Sequence, residues 1–188
     1  MHEKAAEIIE FWRGVGPKGW FEVSEELDAE IRDRYLDLWH EVRGGAHSAW
    51  QLHADESLAL ILLLDQFPRN MFRGDAQSFA SDRMALCVAK KAIRYNFDLE
   101  IEPALRSFFY MPFMHSESPV DQDESVRAFM TRMPDADLLH ARAHRQVIRD
   151  FGRFPYRNDA LGRETTEKEQ AYLAAGGYGH TVQSLNQG

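Results

Sequence analysis

Two short segments carry more hydrogen-bonding chemistry than a loop requires. Residues 64–74 read LDQFPRNMFRG and residues 151–169 read FGRFPYRNDALGRETTEKE. Each follows a helix-like stretch that ends in Asp, at Asp65 and Asp150, and each contains Phe-Pro followed within two residues by Arg-Asn. Arg69, Arg73, Arg153, Arg157 and Arg163 bring planar guanidiniums, which suit carboxylate or phosphate. Asp65, Gln66, Asn70 and Asn158 bring the acceptors and amides that would orient them. Two readings follow. If the guanidiniums converge, they hold an anion; if they turn back onto Asp65, Asp150 and the last carbonyls of their helices, they form an internal lock. Residues 142–163 hold six Arg against Asp150 and Asp159, a local charge of +4 in a chain of formal net charge -8.

A third segment, residues 108–117 (FFYMPFMHSE), places His115 and Glu117 in a turn between two helix-like stretches. They are the candidate catalytic pair, as base and orienter, or alternatively two metal ligands. The alternative is that Ser116 or Glu117 caps the helix that follows. His140 and His144 have the four-residue spacing that lets two imidazoles share a metal, but Ala141, Arg142 and Ala143 between them lack the metalloprotease Glu. His144 is read instead as a hydrogen-bonded core histidine, and no metal or other cofactor is expected. Cys87, between Leu86 and Val88, reads as a small buried hydrophobe. No phosphate-loop, dinucleotide or nucleophile-elbow fingerprint is present.

Helices must position these residues. Ala5, Ile8, Ile9 and Trp12 repeat at helical spacing before Gly14, Gly16, Pro17 and Gly19 interrupt them. Ser24 with Glu25 and Glu26 opens a second helix burying Leu27, Ile31, Tyr35 (or Leu38) and Val42, and Gly44-Gly45 stop it. Asp55 reads as the cap of a third, whose residues 58–64 are apolar on every face, as befits a central helix. Pro68 is expected to end it. Further helices are read over residues 76–95, burying Phe79, Leu86, Ala89 and Ile93, and from Pro103 to Pro112. Three more span Ser118-Pro119 to Met133, residues 137–151, and a capped turn at Thr166-Glu167-Lys168-Glu169. Period-two alternation is missing, so the expectation is an all-α domain of seven to eight helices in antiparallel pairs. One domain is read over residues 1–175, with 176–188 as a flexible tail.

The chain has 188 residues with 44% hydrophobic and 12% aromatic content, enough for a packed core rather than a disordered polymer. With 22 Lys and Arg against 30 Asp and Glu, it lacks the positive excess that binding to nucleic-acid backbones demands. No run is long enough to span a bilayer, and a single cysteine with no secretory segment points to the reducing cytoplasm. The expected partner is an anionic small molecule or an acidic or C-terminal peptide. The alternatives are an enzyme using His115 and Glu117, or a protein–protein interaction surface elsewhere. Oligomeric state is not legible.

Together, LDQFPRNMFRG, FFYMPFMHSE and FGRFPYRNDALGRETTEKE resemble the bacterial family DUF924, with the likeness running from near Ile9-Glu10-Phe11-Trp12 to Tyr172-Leu173. The resemblance implies a fold similar to tetratricopeptide-repeat domains, with helical hairpins stacked around a concave surface. It implies no activity. The polar positions that match the family pattern are Asp65, Gln66, Arg69, Asn70, Arg73, Asp82, His115, Ser116, Glu117, Gln122, Arg153, Arg157, Asn158, Arg163 and Glu164. Two positions depart from it: Arg13 follows the Phe-Trp pair where an aromatic is usual, and Tyr156 stands where the family tends to have His.

Overall fold

The computed structural model describes residues 1–187, and among them every regular element is helical. By internal packing the chain divides into two units, Met1–Pro112 and Phe113–Gly188.

In the first unit α1 (Glu3–Gly19) buries Ala5, Ile8, Ile9 and Trp12. Its last turn is set off by a kink at Gly16, whose φ of 73° only glycine adopts cheaply, and Pro17 restarts the coil. α2 (Glu25–Arg43) is capped by Ser24, whose Oγ accepts the Leu27 N–H at 3.2 Å. It buries Ile31, Tyr35, Leu38, Trp39 and Val42, while Leu27 stays half-buried. α3 (Ala54–Ile61) is flanked by His53 rather than capped by Asp55, which lies inside its first turn.

The all-round apolar segment is central, as expected: residues 58–64 are at most 2% exposed. Pro68 does not end the helix. Residues 62–66 widen into a π turn and α4 (Phe67–Met71) continues with Pro68 in its first turn. The physical reason lies in two bonds. The Phe67 N–H reaches five residues back to the Leu62 carbonyl, and the Leu64 carbonyl that Pro68 cannot serve accepts the Ser81 hydroxyl at 2.6 Å. Ser81 Oγ in turn accepts the Trp39 indole N–H at 3.0 Å.

After a 3-10 turn (Ala76–Phe79), α5 (Asp82–Arg94) buries Ala85, Val88, Ala89 and Ala92. Its buried stripe is therefore rotated from the one expected. Phe79, Leu86 and Ile93 are only half-buried, and Cys87 is exposed rather than buried. Asn96, at φ 60°, then starts α6 (Phe97–Glu100), followed by α7 (Pro103–Arg106), a 3-10 turn (Ser107–Phe109) and α8 (Met111–Met114), inside which Pro112 sits. Within this unit α1 packs on α3, α2 on α4, and α3 on α5. That is compatible with tetratricopeptide-like stacking.

In the second unit α9 (Pro119–Arg132) and α10 (Leu139–Phe151) pack on one another, and Gly152 closes α10 in the left-handed conformation. α11 (Glu167–Ala174) begins with the capping box foreseen at Thr166 and Glu169. Residues expected as a flexible tail instead form α12 (Gly177–Asn186), which packs on α10. Tyr178, with Phe151 and Tyr172, covers the buried Val147, Ile148 and Phe154. Among the described residues no helix is long and apolar enough to cross a membrane.

Candidate functional site

In the first unit the arginine turn is closed on itself. Arg69 forks onto Asp82, with both Nη–Oδ distances 3.0 Å, and also reaches the carbonyl and carboxylate of Asp65. Asp65 is fully buried and takes a further bond from the Gln66 amide. Arg73 forks onto Asp28 with two 2.8 Å bonds, and Asn70 donates to the same carboxylate at 2.8 Å. Burial would push Asp28 up; the Arg73 and Asn70 bonds outweigh it and hold the carboxyl below its usual range.

In the second unit the same logic recurs with Glu. Arg153 grips both oxygens of Glu169, at 2.6 and 2.8 Å, and donates to the Glu164 carbonyl. Glu169 also closes the capping box of α11, and the Asn158 amide lies 3.4 Å from it. Led by the Arg153 bond, these contacts lower the Glu169 pKa to about 2 despite its burial. Arg163 forks onto Glu117 at 2.8 and 2.9 Å, and Glu117 Oε1 accepts the Phe154 N–H at 2.9 Å. Asp150, expected to take an arginine fork, accepts Gln146 Nε2 instead, and the Lys168 ammonium donates to its carbonyl.

Glu117 is thus not a free orienter for His115. Nor is it a cap: Ser118 occupies the N-cap of α9 without a side-chain bond. Ser116 Oγ donates to Asp121 and accepts the Ser118 N–H, while Gln122 Nε2 ties down the carbonyls of Met114 and Ser116 at 2.7 and 2.6 Å. This bracing fixes the turn that carries His115.

His115 meets a different set of groups. Its ring lies 6.0 Å, centroid to centroid, from that of His144 on α10, and its carbonyl accepts Arg157 Nη2 at 3.0 Å. Arg157 is 5% exposed and lies with its Cζ 4.5 Å from the Phe154 ring centroid; Phe154 also packs edge-on against His144. His144 Nδ1 lies 2.9 Å from the His140 carbonyl and 3.0 Å from the Tyr178 hydroxyl. A carbonyl can only accept, so Nδ1 holds the proton and Nε2 carries the lone pair. The Tyr178 hydroxyl is also within hydrogen-bond distance of His140 Nδ1, at 2.8 Å. Burial, then the neighbouring His115 and Arg157, push His144 down to about 3, so it is a neutral imidazole at ordinary pH. Burial likewise pushes the Tyr178 phenol well above its usual range.

This cluster unites His115, His144 and Arg157 with Tyr178, which the sequence hid in a segment read as tail. The metal reading of His140 and His144 has no third ligand: among the described residues no group of three His, Cys, Asp or Glu is placed to hold an ion. Two carboxylates of the arginine forks, Asp28 and Glu169, were also not legible as partners. Nothing in the local sequence marks Asp28 for this role, and Thr166-Glu167-Lys168-Glu169 signals only a capping box.

The sequence matches the family model described as a bacterial protein of unknown function, DUF924, over residues 8–177. No curated protein matches it. Among solved structures it is similar to ATU0120, a protein of unknown function from Agrobacterium tumefaciens. The two share 42% identity and a TM-score of 0.85 over 90% of this chain and 96% of that one. The match over most of the chain, together with the arginine turns and the His-Ser-Glu turn described above, places this protein in the DUF924 family.

Proposed function

We propose that this protein is a binding module for a small anionic molecule, held at the imidazole cluster of the second unit rather than at the arginine forks. The observation that carries this reading is the fixed tautomer of His144. Its Nδ1 is committed to the His140 carbonyl, so the lone pair of the neutral imidazole lies on Nε2 and can accept a hydrogen bond. Arg157 adds positive potential beside it. A monoprotonated phosphate or a half-protonated dicarboxylate satisfies both features, donating a hydrogen bond to the neutral Nε2 while the Arg157 guanidinium attracts its negative charge. Binding therefore selects the protonated species of the ligand, and affinity rises as pH falls. An enzymatic role for the pair His115 and Glu117 has less support, because both Glu117 oxygens are engaged by Arg163.

The test is thermal melting with inorganic phosphate and with small mono- and dicarboxylates, at pH 5.5 and pH 8, on the parent and on His144→Phe. A ligand at a hundred times its dissociation constant adds about 2.7 kcal/mol of stability. The expected result is a rise in Tm that is larger at pH 5.5 and lost in His144→Phe. An equal rise in the variant, or none with any of these anions in the parent, overturns the reading.

A second reading attaches to the forks. Arg69, Arg73, Arg153 and Arg163 each hold two oxygens of one carboxylate. On that reading they serve to lock their turns, and replacing them changes stability with no dependence on ligand.

A further inference from the structure

The first unit contains a groove unrelated to any of these polar turns. The C-terminal end of α2, the turn after it, the 3-10 turn Ser48–Leu52, α3 and α5 enclose about 420 Å³. That volume is within the range of about 300–1,000 Å³ usual for small-ligand sites. Val42, Leu60, Leu64 and Val88, each at most 3% exposed, give it an apolar wall. In a chain with 30 acidic residues, none lines this groove.

Apart from the imidazole of His47, the one ionisable cation on the lining is Arg83. The Arg83 side chain is exposed and makes no hydrogen bond or ion pair with any described residue, whereas Arg69, Arg73, Arg153 and Arg163 are forked onto carboxylates. Cys87 lies one helical turn beyond it on the same face of α5, exposed and lining the same groove. An apolar trough with an unpaired guanidinium on its lining selects by charge as well as by greasiness: it favours an alkyl chain with an anionic head over one with a neutral or cationic head.

We infer that this groove binds a medium-chain carboxylic acid, with the alkyl chain along Leu60, Leu64 and Val88 and the carboxylate on Arg83. Affinity then rises about fourfold with each added methylene until the trough is full. The inference is independent of the imidazole cluster.

Cys87 is the single cysteine of the chain, so its labelling rate reads the groove directly. The experiment follows N-ethylmaleimide labelling of the full chain against octanoate kept below its micellar concentration, with octylamine as the cationic counterpart. Octanoate is expected to slow labelling saturably, hexanoate to do so at higher concentration, and octylamine to leave the rate unchanged. Arg83→Gln is expected to weaken octanoate protection at least tenfold, and Ala80→Phe, at the exposed mouth, to abolish it. Each variant is compared with its own unliganded rate and checked for the parent's circular dichroism. His144→Phe should leave the protection intact. Labelling that octanoate does not slow, equal protection by octylamine, or full protection in a folded Arg83→Gln overturns the inference.

Discussion

Arg163 holds both carboxylate oxygens of Glu117, 46 residues away in sequence, and Glu117 uses one of those oxygens a second time to accept the Phe154 N–H. One side chain thereby anchors the turn before α9, the turn after α10 and the segment that leads into α11. The fork is partly buried, with side chains 31% and 25% exposed. Arg163→Ala should therefore cost about 1–3 kcal/mol, between the values for an exposed and a buried pair. Glu117→Ala should cost about 1 kcal/mol more, because it also orphans the Phe154 N–H beside a fully buried ring. Urea denaturation of the two variants checks the order; equal losses would mean that the Phe154 bond contributes nothing.

The Glu169 carboxyl has a folded pKa of about 2, lowered first by Arg153 and then by the Thr166 contacts, against an ordinary value of 4.5. A depressed acid stabilises the fold only while ionised. Its contribution is complete above about pH 5 and is lost as pH falls toward 2. Glu169→Gln should be less stable than the parent at pH 7 and should show a flatter stability curve between pH 5 and 2. Chemical denaturation across that interval provides the measurement.

His144 contributes pH dependence at a higher window. Unfolded, the imidazole takes a proton near pH 6.5; folded, it resists until about pH 3. The unfolded chain binds the extra proton throughout that interval, so acid favours unfolding by up to about 1.4 kcal/mol per pH unit from this group. His144→Phe should reduce the slope of stability against pH between 6.5 and 4 by about that amount. A slope identical to the parent's would show that the folded imidazole titrates normally.

The Ser81 hydroxyl bridges the Leu64 carbonyl and the Trp39 indole N–H, all in buried surroundings. Ser81→Ala leaves a buried acceptor and a buried donor unpaired, at about 1–3 kcal/mol each. The variant is expected to melt lower with the fold retained. Pairing it with Pro68→Ala, which restores the missing backbone donor, should recover part of the loss, and a double-mutant cycle measures how much.

Deleting residues 177–188 removes α12 and with it Tyr178, which covers Val147, Ile148 and Phe154 and bonds His140 and His144. The loss should exceed the ~3 kcal/mol that accompanies removal of one large buried side chain. A truncated chain as stable as the parent would make α12 dispensable to the second unit.

Much of this architecture is written locally. Ser24 and Thr166 with Glu169 act within three residues, Gly16-Pro17 interrupts α1 where it stands, and residues 58–64 are apolar all round, which only a central position satisfies. Such signals depend on one turn of chain, so the sequence alone determined an all-helical protein and the places where most of its longer helices begin. The tertiary structure decided the rest. The forks join residues 13, 16, 45 and 46 apart, and local pattern cannot say which of 30 acidic residues meets a given guanidinium. The bend at Pro68 became a π turn because Ser81, 17 residues from Leu64, supplied the donor that proline lacks. Cys87 faces solvent because the stripe of α5 is set by small alanines packed on α3, not by its larger apolar residues. The weakly patterned segment after Gly176 became a helix because the apolar face of α10 gave Tyr178 a place to bury, and burial outweighs a poor intrinsic helix propensity. The imidazole cluster rests on that same packing, so it was visible in the sequence only as scattered histidines.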